Sequence, residues 1–246
     1  MSHTYTGAGT WQLVFTVTTG TGATAVSNSK TYNVFNGSNP GISLGSPGTT
    51  QGCAPYPMNF PVDNWASNAV GTIYKFYPGD GTGPMRFKQP GDNSSLPAIS
   101  NSISYTYTTS SCGNIPTVGN PNSYTASIWA VNPCDSTASY ITNVKVSTPP
   151  TASFTVNSHQ ICVGGSVTVT NTTISGCSAT SPTSSPTYTW NWGDGQTSIG
   201  ANPGPHTYAN YGNYTITLTA NQCSSSTATQ QVCVGALPVP TFTLPQ

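Results

Sequence analysis

Tyr188-Thr189-Trp190-Asn191-Trp192-Gly193-Asp194-Gly195 decides how the rest of the chain is read. Tyr188, Trp190 and Trp192 alternate with polar residues, a period of two that puts three rings on one face of a strand, and Gly-Asp-Gly follows as a stop signal. Eleven residues after Gly195 stands His206-Thr207-Tyr208. Then comes Gly212-Asn213-Tyr214-Thr215-Ile216-Thr217-Leu218-Thr219, where Tyr214, Ile216 and Leu218 alternate with polar neighbours. A second half-buried strand is expected there.

The same order recurs earlier in the chain. His3-Thr4-Tyr5 precedes Trp11-Gln12-Leu13-Val14-Phe15-Thr16-Val17, and Trp11 lies six residues after Tyr5 as Tyr214 lies six after Tyr208. In the middle, Ile73-Tyr74-Lys75-Phe76-Tyr77-Pro78-Gly79-Asp80-Gly81 matches the opening motif. Tyr105-Thr106-Tyr107 takes the His-x-Tyr place, and the run from Tyr124 to Trp129 takes the strand. From His3 to Tyr105 to His206 the steps are 102 and 101 residues, so one repeat spans near 100. The division expected is 1–37 (last strands of a repeat), 38–148 (a divergent repeat), 149–236 (a whole repeat) and 237–246 (the first strand of another, or a linker). Pro78 reads as an extra residue before Gly-Asp-Gly, and a bulge is expected there. Residues 82–100 read as a loop carrying Arg86, Lys88 and Asp92, and the run from Ser166 to Asn171 reads as one alternating strand. No segment holds a period of 3.6, so essentially no helix is expected.

Composition narrows the function classes. The charged fraction is 4%, with five Lys plus Arg and five acidic residues, all Asp, against about a quarter in an ordinary domain. Nucleic-acid binding needs clustered Lys and Arg for phosphates and is not expected. Binding to a membrane surface through basic patches is excluded on the same ground. No apolar run approaches the roughly 20 residues that cross a bilayer. No charged and apolar leader is visible, so Met1 is expected to open a fragment or a mature piece. Seven Cys with no Cys-x-x-Cys spacing point to disulfides and an oxidising compartment.

The trio formed by Tyr188 to Gly195, His206-Thr207-Tyr208 and Gly212 to Thr219 resembles the signature of the PKD (polycystic kidney disease) domain. That family has Trp-x-Phe-Gly-Asp-Gly, then His-x-Tyr, then Gly-x-Tyr-x-Val-x-Leu, with Trp192 standing here where the family has Phe. The resemblance covers residues 151–235 and implies tandem immunoglobulin-like β-sandwiches. Taking that strand order, Cys162 and Cys233 fall at one pole and Cys177 and Cys223 at the other. Of three connectivities, Cys162–Cys233 with Cys177–Cys223 respects both poles; the sequence alone leaves the choice open. By the same placement Cys53 and Cys112 are partners in the middle repeat, and Cys134 is the odd cysteine.

Candidate sites are few. Asp80 and Asp194 recur inside Gly-Asp-Gly, where an Asp commonly accepts N–H bonds from its own turn. Calcium is the weaker alternative at these two, because it wants six to eight oxygens and one carboxylate per turn is too few. No other cofactor is expected. His3 and His206 recur at one place and read as scaffold; His159 has no counterpart and reads as exposed. With five acids, paired-carboxylate catalysis is not expected. Trp65, Tyr77 and Phe87 are the rings singled out as facing a ligand, from a set that includes Tyr56, Tyr140 and Tyr211, since amphipathic rings suit sugar faces. Asn36, Asn93, Asn171 and Asn213 stand in glycosylation sequons.

The function expected is non-enzymatic, extracellular or at the cell surface: a stalk or adhesive array similar to the PKD repeats of long surface proteins, including gliding adhesins of Bacteroidetes and archaeal surface layers. Weak contacts along such an array gain by avidity. Expected partners are neighbouring repeats, a surface polysaccharide, or another copy adding a strand to an open edge. The alternative is an accessory binding or spacer module of a secreted hydrolase. Function is expected where the repeats differ, in residues 82–100 and 108–122.

Overall fold

The computed structural model describes residues 2–7 and 9–236. The strand expected at 238–246 lies outside them. In chain order the strands are β1 (Gly9–Thr19), β2 (Val26–Asn36), β3 (Ser43–Leu44), β4 (Gln51–Cys53), β5 (Tyr56–Asp63), β6 (Ile73–Tyr77) and β7 (Met85–Lys88). They continue as β8 (Ser102–Tyr107), β9 (Tyr124–Val131), β10 (Ser136–Ser147), β11 (Phe154–Val156), β12 (Gln160–Cys162) and β13 (Ser166–Val167). The last are β14 (Val169–Asn171), β15 (Thr187–Asn191), β16 (Thr197–Ile199), β17 (His206–Thr207), β18 (Gly212–Asn221) and β19 (Ser225–Gly235). A single 3₁₀ turn, Gly22–Thr24, is the only helical segment among the described residues. The all-β immunoglobulin-like architecture is therefore as the sequence pattern requires.

Two compact units divide the chain. The first takes Met1–Thr50, Pro57–Tyr107 and Asn114–Val144; the second takes Gln51–Tyr56, Thr108–Gly113 and Lys145–Gln246.

In the second unit a five-stranded sheet runs β12-β19-β18-β15-β16. The alternation of the opening motif fixes which side is core: Trp190 lies opposite Leu218, and both are fully buried. Phe154, Val167, Trp192, Tyr208, Ile216, Val232 and Val234 complete the cluster. Burying side chains of this size contributes about 1.5–3 kcal/mol each. The run from Ser166 to Asn171 is not one strand: β13 pairs with β17, β14 pairs with β11, and the break falls at Thr168. Thr168 leaves both ladders because its N–H donates to Asn157 Oδ1 at 2.9 Å while its carbonyl accepts from Asn157 N at 3.0 Å. The chain thus changes sheets within three residues.

In the first unit β9 is central, between β10 and β6, with β7 outside β6; β3, β5 and β8 form the facing sheet. Phe60 and Phe76 meet at 4.9 Å in the core. Two expectations need correcting here. Residues 82–100 are not one loop, because Met85–Lys88 forms β7 and pairs with β6 from Ile73↔Lys88 to Phe76↔Met85. Nor is Pro78 an insertion. The β6–β9 register runs unbroken from Ile73↔Val131 to Tyr77↔Ser127, and Pro78 is buried directly before Gly79, the place Trp192 holds before Gly193. A proline serves at that position because it closes the strand, where no further ladder N–H is required. The irregularity of this sheet lies instead in β10, between Ile141 and Val144, with Asn143 at φ 63°.

β1 and β2 pair along their full lengths, from Gly9↔Asn36 to Thr19↔Val26, and among the described residues join no other strand.

Candidate functional site

The recurring Asp is the first candidate. In the second unit β15 delivers the chain to Gly193, whose φ of +84° suits glycine and whose absent Cβ would stand 2.8 Å from Thr215 O. Glycine is required there for both reasons. Asp194 then turns its carboxylate inward. Oδ1 accepts from Gln196 N at 3.0 Å, and Oδ2 lies 2.8 Å from His206 Nε2. The His206 ring lies flat on Trp192, centroids 4.5 Å apart, and meets Tyr208 edge-on at 4.7 Å. Tyr208 donates its hydroxyl to Trp192 O at 2.9 Å. Burial pushes the Asp194 carboxyl up, but the Gln196 amide and the bond and charge of His206 outweigh it, and the group sits below the usual carboxylate range. Burial, aided by the Asp194 charge, pushes the Tyr208 hydroxyl up to about 12, so it stays a donor.

The first unit builds the same latch with another donor. Tyr105 OH reaches Asp80 Oδ2 at 2.6 Å, and Asp80 Oδ1 accepts from Thr82 N at 3.1 Å and Thr82 Oγ1 at 2.7 Å. Tyr107 donates to Pro78 O at 2.9 Å, as Tyr208 does to Trp192 O. Burial raises the Asp80 carboxyl, yet Tyr105 and Thr82 hold it below its ordinary value, while burial raises the Tyr107 hydroxyl. Tyr105 thus replaces His206 without changing what the carboxylate does.

Each carboxylate is committed on both oxygens to protein donors. Among the described residues no group of three or more His, Cys, Asp or Glu side chains comes together as metal ligands would. One carboxylate per turn, with both oxygens already accepting from protein donors, is fewer than the six to eight oxygens calcium takes. What the arrangement can do is hold a strand end closed: it ties the turn after β6 or β15 to the strand that crosses back behind it.

Four cysteines are joined, in pairs other than those expected. Cys53 bonds Cys223 and Cys112 bonds Cys177, while Cys134, Cys162 and Cys233 are free. The reason is strand pairing. Lys145–Ser147 at the end of β10 pairs in parallel with β4, Ser111 N donates to Val146 O at 2.8 Å, and Thr148 bridges Cys177. Residues 51–53 and 110–112 are thereby placed in the second unit, within reach of Cys223 and Cys177. Cys162 and Cys233 lie on neighbouring parallel strands two positions out of register, since Gln160 is the residue opposite Cys233. On one face such diagonal neighbours stand about 7–8 Å apart, at or beyond the limit for a disulfide.

The rings singled out from the sequence are not gathered on one surface. Phe87 lies opposite Tyr74 and shares its core-facing side of β6 and β7. Trp65 sits in the turn after β5, its carbonyl accepting from Asn68 N at 3.0 Å and from Tyr74 OH at 3.4 Å. Tyr77 lies on the other face of the sheet, beside Trp129, which the sequence reading placed only as part of a strand. The period of two through Ser127, Trp129 and Val131 is the signal that could have found it. His159 is exposed, and its Nδ1 lies 2.8 Å from Gln231 O.

Residues 147–234 match the family described as PKD domain. Among solved structures, the PKD1 domain of the Vibrio cholerae metalloprotease PrtV is 30% identical over 35% of this chain and 96% of its own, with a TM-score of 0.28. The PKD1 domain of Vibrio anguillarum Epp is 25% identical over 36% and 96%, with a TM-score of 0.29. Murine CEACAM1b is 13% identical over 80% and 98%, with a TM-score of 0.32. No curated protein matches. The Asp194–His206–Tyr208 latch and the sandwich core it closes thus fall within the matched stretch, and residues 147–234 of this chain form a PKD domain.

Proposed function

We propose that the chain is a non-catalytic extracellular module, an adhesive spacer in a serial array of β-sandwiches of the kind found in long cell-surface proteins. One observation carries this reading: the recurring Asp, the only acidic position with a counterpart in each unit, is consumed in both by a structural latch. Both oxygens of each carboxylate are already engaged by the protein's own turn and latch donors. Two disulfides suit an oxidising compartment, and no helix among the described residues is long and apolar enough to cross a membrane. The ribbon of β1 and β2 fits as the closing ribbon of a further repeat, whose open edges take a neighbouring strand from the array or from another copy.

The test is retention of the purified, oxidised chain on immobilised polysaccharide and on intact cells, with peptide and glycoside hydrolysis followed in the same samples. Retention without product is expected. Turnover that disappears on Asp194→Asn would overturn the reading.

A further inference from the structure

Only five cationic residues occur in the chain, and two of them, Lys75 on β6 and Arg86 on β7, stand directly opposite each other across a ladder. Like charges so placed destabilise a sheet. Lys88, next along β7, is opposite Ile73 on the same face, its Nζ donating to Ser94 O at 2.5 Å. That face is the one turned away from the core residues Tyr74 and Phe76. Across the next ladder Lys75 is opposite Trp129 and Tyr77 opposite Ser127, and Ser127 is in turn opposite Tyr140 on β10. Register therefore sets three cations, Lys75, Arg86 and Lys88, and three aromatic rings on one side of one sheet.

The rings are available. Tyr77 and Trp129 are half-buried, Tyr140 is 46% exposed, and Trp129 meets Tyr140 edge-on at 6.4 Å. An open groove of about 430 Å³ is lined by Lys75, Tyr77, Ser127, Trp129 and Val131. A second, of about 300 Å³, shares Ser127 and lies between Tyr140 and residues 114–118 of the segment that lengthens this repeat. None of the strands β6, β7, β9 and β10 contains an acidic residue. Asp80, three residues past Tyr77, is held by Tyr105 and Thr82, and Asp135 in the β9–β10 turn accepts from Ser136 N.

We propose that this face binds an acidic polysaccharide. Sugar rings lie on Tyr77, Trp129 and Tyr140, whose apolar faces and polar edges suit pyranose rings, and carboxylate or sulfate groups pair with Lys75 and Arg86, the latter able to bond them in bidentate fashion. The two grooves, which share Ser127, give room for more than one sugar, and the nearly uncharged remainder of the surface leaves the cations of this face as the electrostatic address. The proposal deepens the adhesive reading and rests on it.

Affinity electrophoresis and calorimetry of the full chain with alginate, a polyuronate, against uncharged dextran test it. Alginate is expected to retard the chain, dextran not, and about 0.5 M NaCl is expected to weaken the binding by screening. Trp129→Ala is expected to lower affinity about tenfold or more, a loss of about 1.4 kcal/mol. Arg86→Gln, at an exposed position whose truncation leaves the core untouched, is expected to lower it about three- to tenfold and flatten the salt dependence. Tyr211→Ala, an exposed ring of the second unit, should change nothing. Equal affinity for dextran, or alginate binding indifferent to both Trp129→Ala and Arg86→Gln, would overturn the proposal. Retention on cells with no alginate binding would defeat this face alone; absence of both would defeat the adhesive reading itself.

Discussion

The chain contains one ribbon twice, once covered and once bare. β18 and β19 carry His206, Tyr208 and Tyr214 at their head; β1 and β2 carry His3, Tyr5 and Trp11 at the same spacing. The local packing is conserved. His206 meets Tyr208 at 4.7 Å and 84°, and His3 meets Tyr5 at 4.7 Å and 80°; Tyr208 to Tyr214 is 4.3 Å, and Tyr5 to Trp11 is 5.0 Å. Burial is not conserved. Ile216, Leu218 and Ala220 are each 0% exposed, whereas Leu13, Phe15 and Val17 at the matching positions are 49%, 60% and 47% exposed. Alternation and a tight connection are thus enough to write a hairpin with its aromatic corner, but the core comes from the strands that bring Phe154, Trp190 and Trp192 against it. An isolated two-stranded ribbon is marginal in water.

Four measurements break or sharpen that contrast. The largest effect expected is on Leu218→Ala, which should cost about 2–5 kcal/mol of unfolding free energy because it opens a cavity opposite Trp190; Phe15→Ala, its counterpart on the bare ribbon, should stay within about 0.5 kcal/mol. Equal losses in urea titrations would mean that the ribbon of β1 and β2 has found a cover. Tyr208→Phe should follow at about 1–3 kcal/mol, since the buried Trp192 carbonyl loses its donor. Asp194→Asn should cost about 1 kcal/mol, and it tests acid sensitivity as well. The folded-state carboxyls of Asp194 and Asp80 lie below their ordinary value. Their contribution is therefore present above the unfolded-state value near 3.8 and is lost as pH falls through the lower folded-state value. An acid titration followed by near-ultraviolet circular dichroism should show that limb, and Asp194→Asn should flatten the part owed to the second unit. β1 and β2 contain no carboxylate, so protection of their amides should not share the limb. Smallest of all, His3→Ala should leave stability within about 0.5 kcal/mol, because among the described residues no acidic side chain is bonded to His3.

The contrast also marks where sequence reading succeeds. The alternating rings and the Gly-Asp-Gly stops made the half-buried strands β15 and β18 legible, and the turn bonds that Asp80 and Asp194 accept from Thr82 N and Gln196 N were legible too. What failed depends on partners distant in sequence. The break at Thr168 is invisible locally, because it is Asn157 that captures that residue's amide. Pro78 looked like an insertion because its residue type hides its equivalence to Trp192, which rests on a backbone carbonyl and not on a side chain. β7 was missed because Met85–Lys88 is short and half charged. The disulfides were misassigned because each repeat was treated as closed, while the parallel pairing of β4 with the end of β10 draws Cys53 into the second unit. Trp129 joined Tyr77 only through register across a ladder.

The Cys53–Cys223 bond has a mechanical consequence. It joins residues 170 apart, and tension applied to the two ends of the chain enters at one sulfur and leaves at the other. The strands from β5 to β18, and the whole of the Cys112–Cys177 loop, lie off the load path. Closing that loop withholds 170 residues from extension, about 600 Å at roughly 3.5 Å per residue. The strands between the two cysteines are thereby shielded from tension, while β19, which follows Cys223, still bears it.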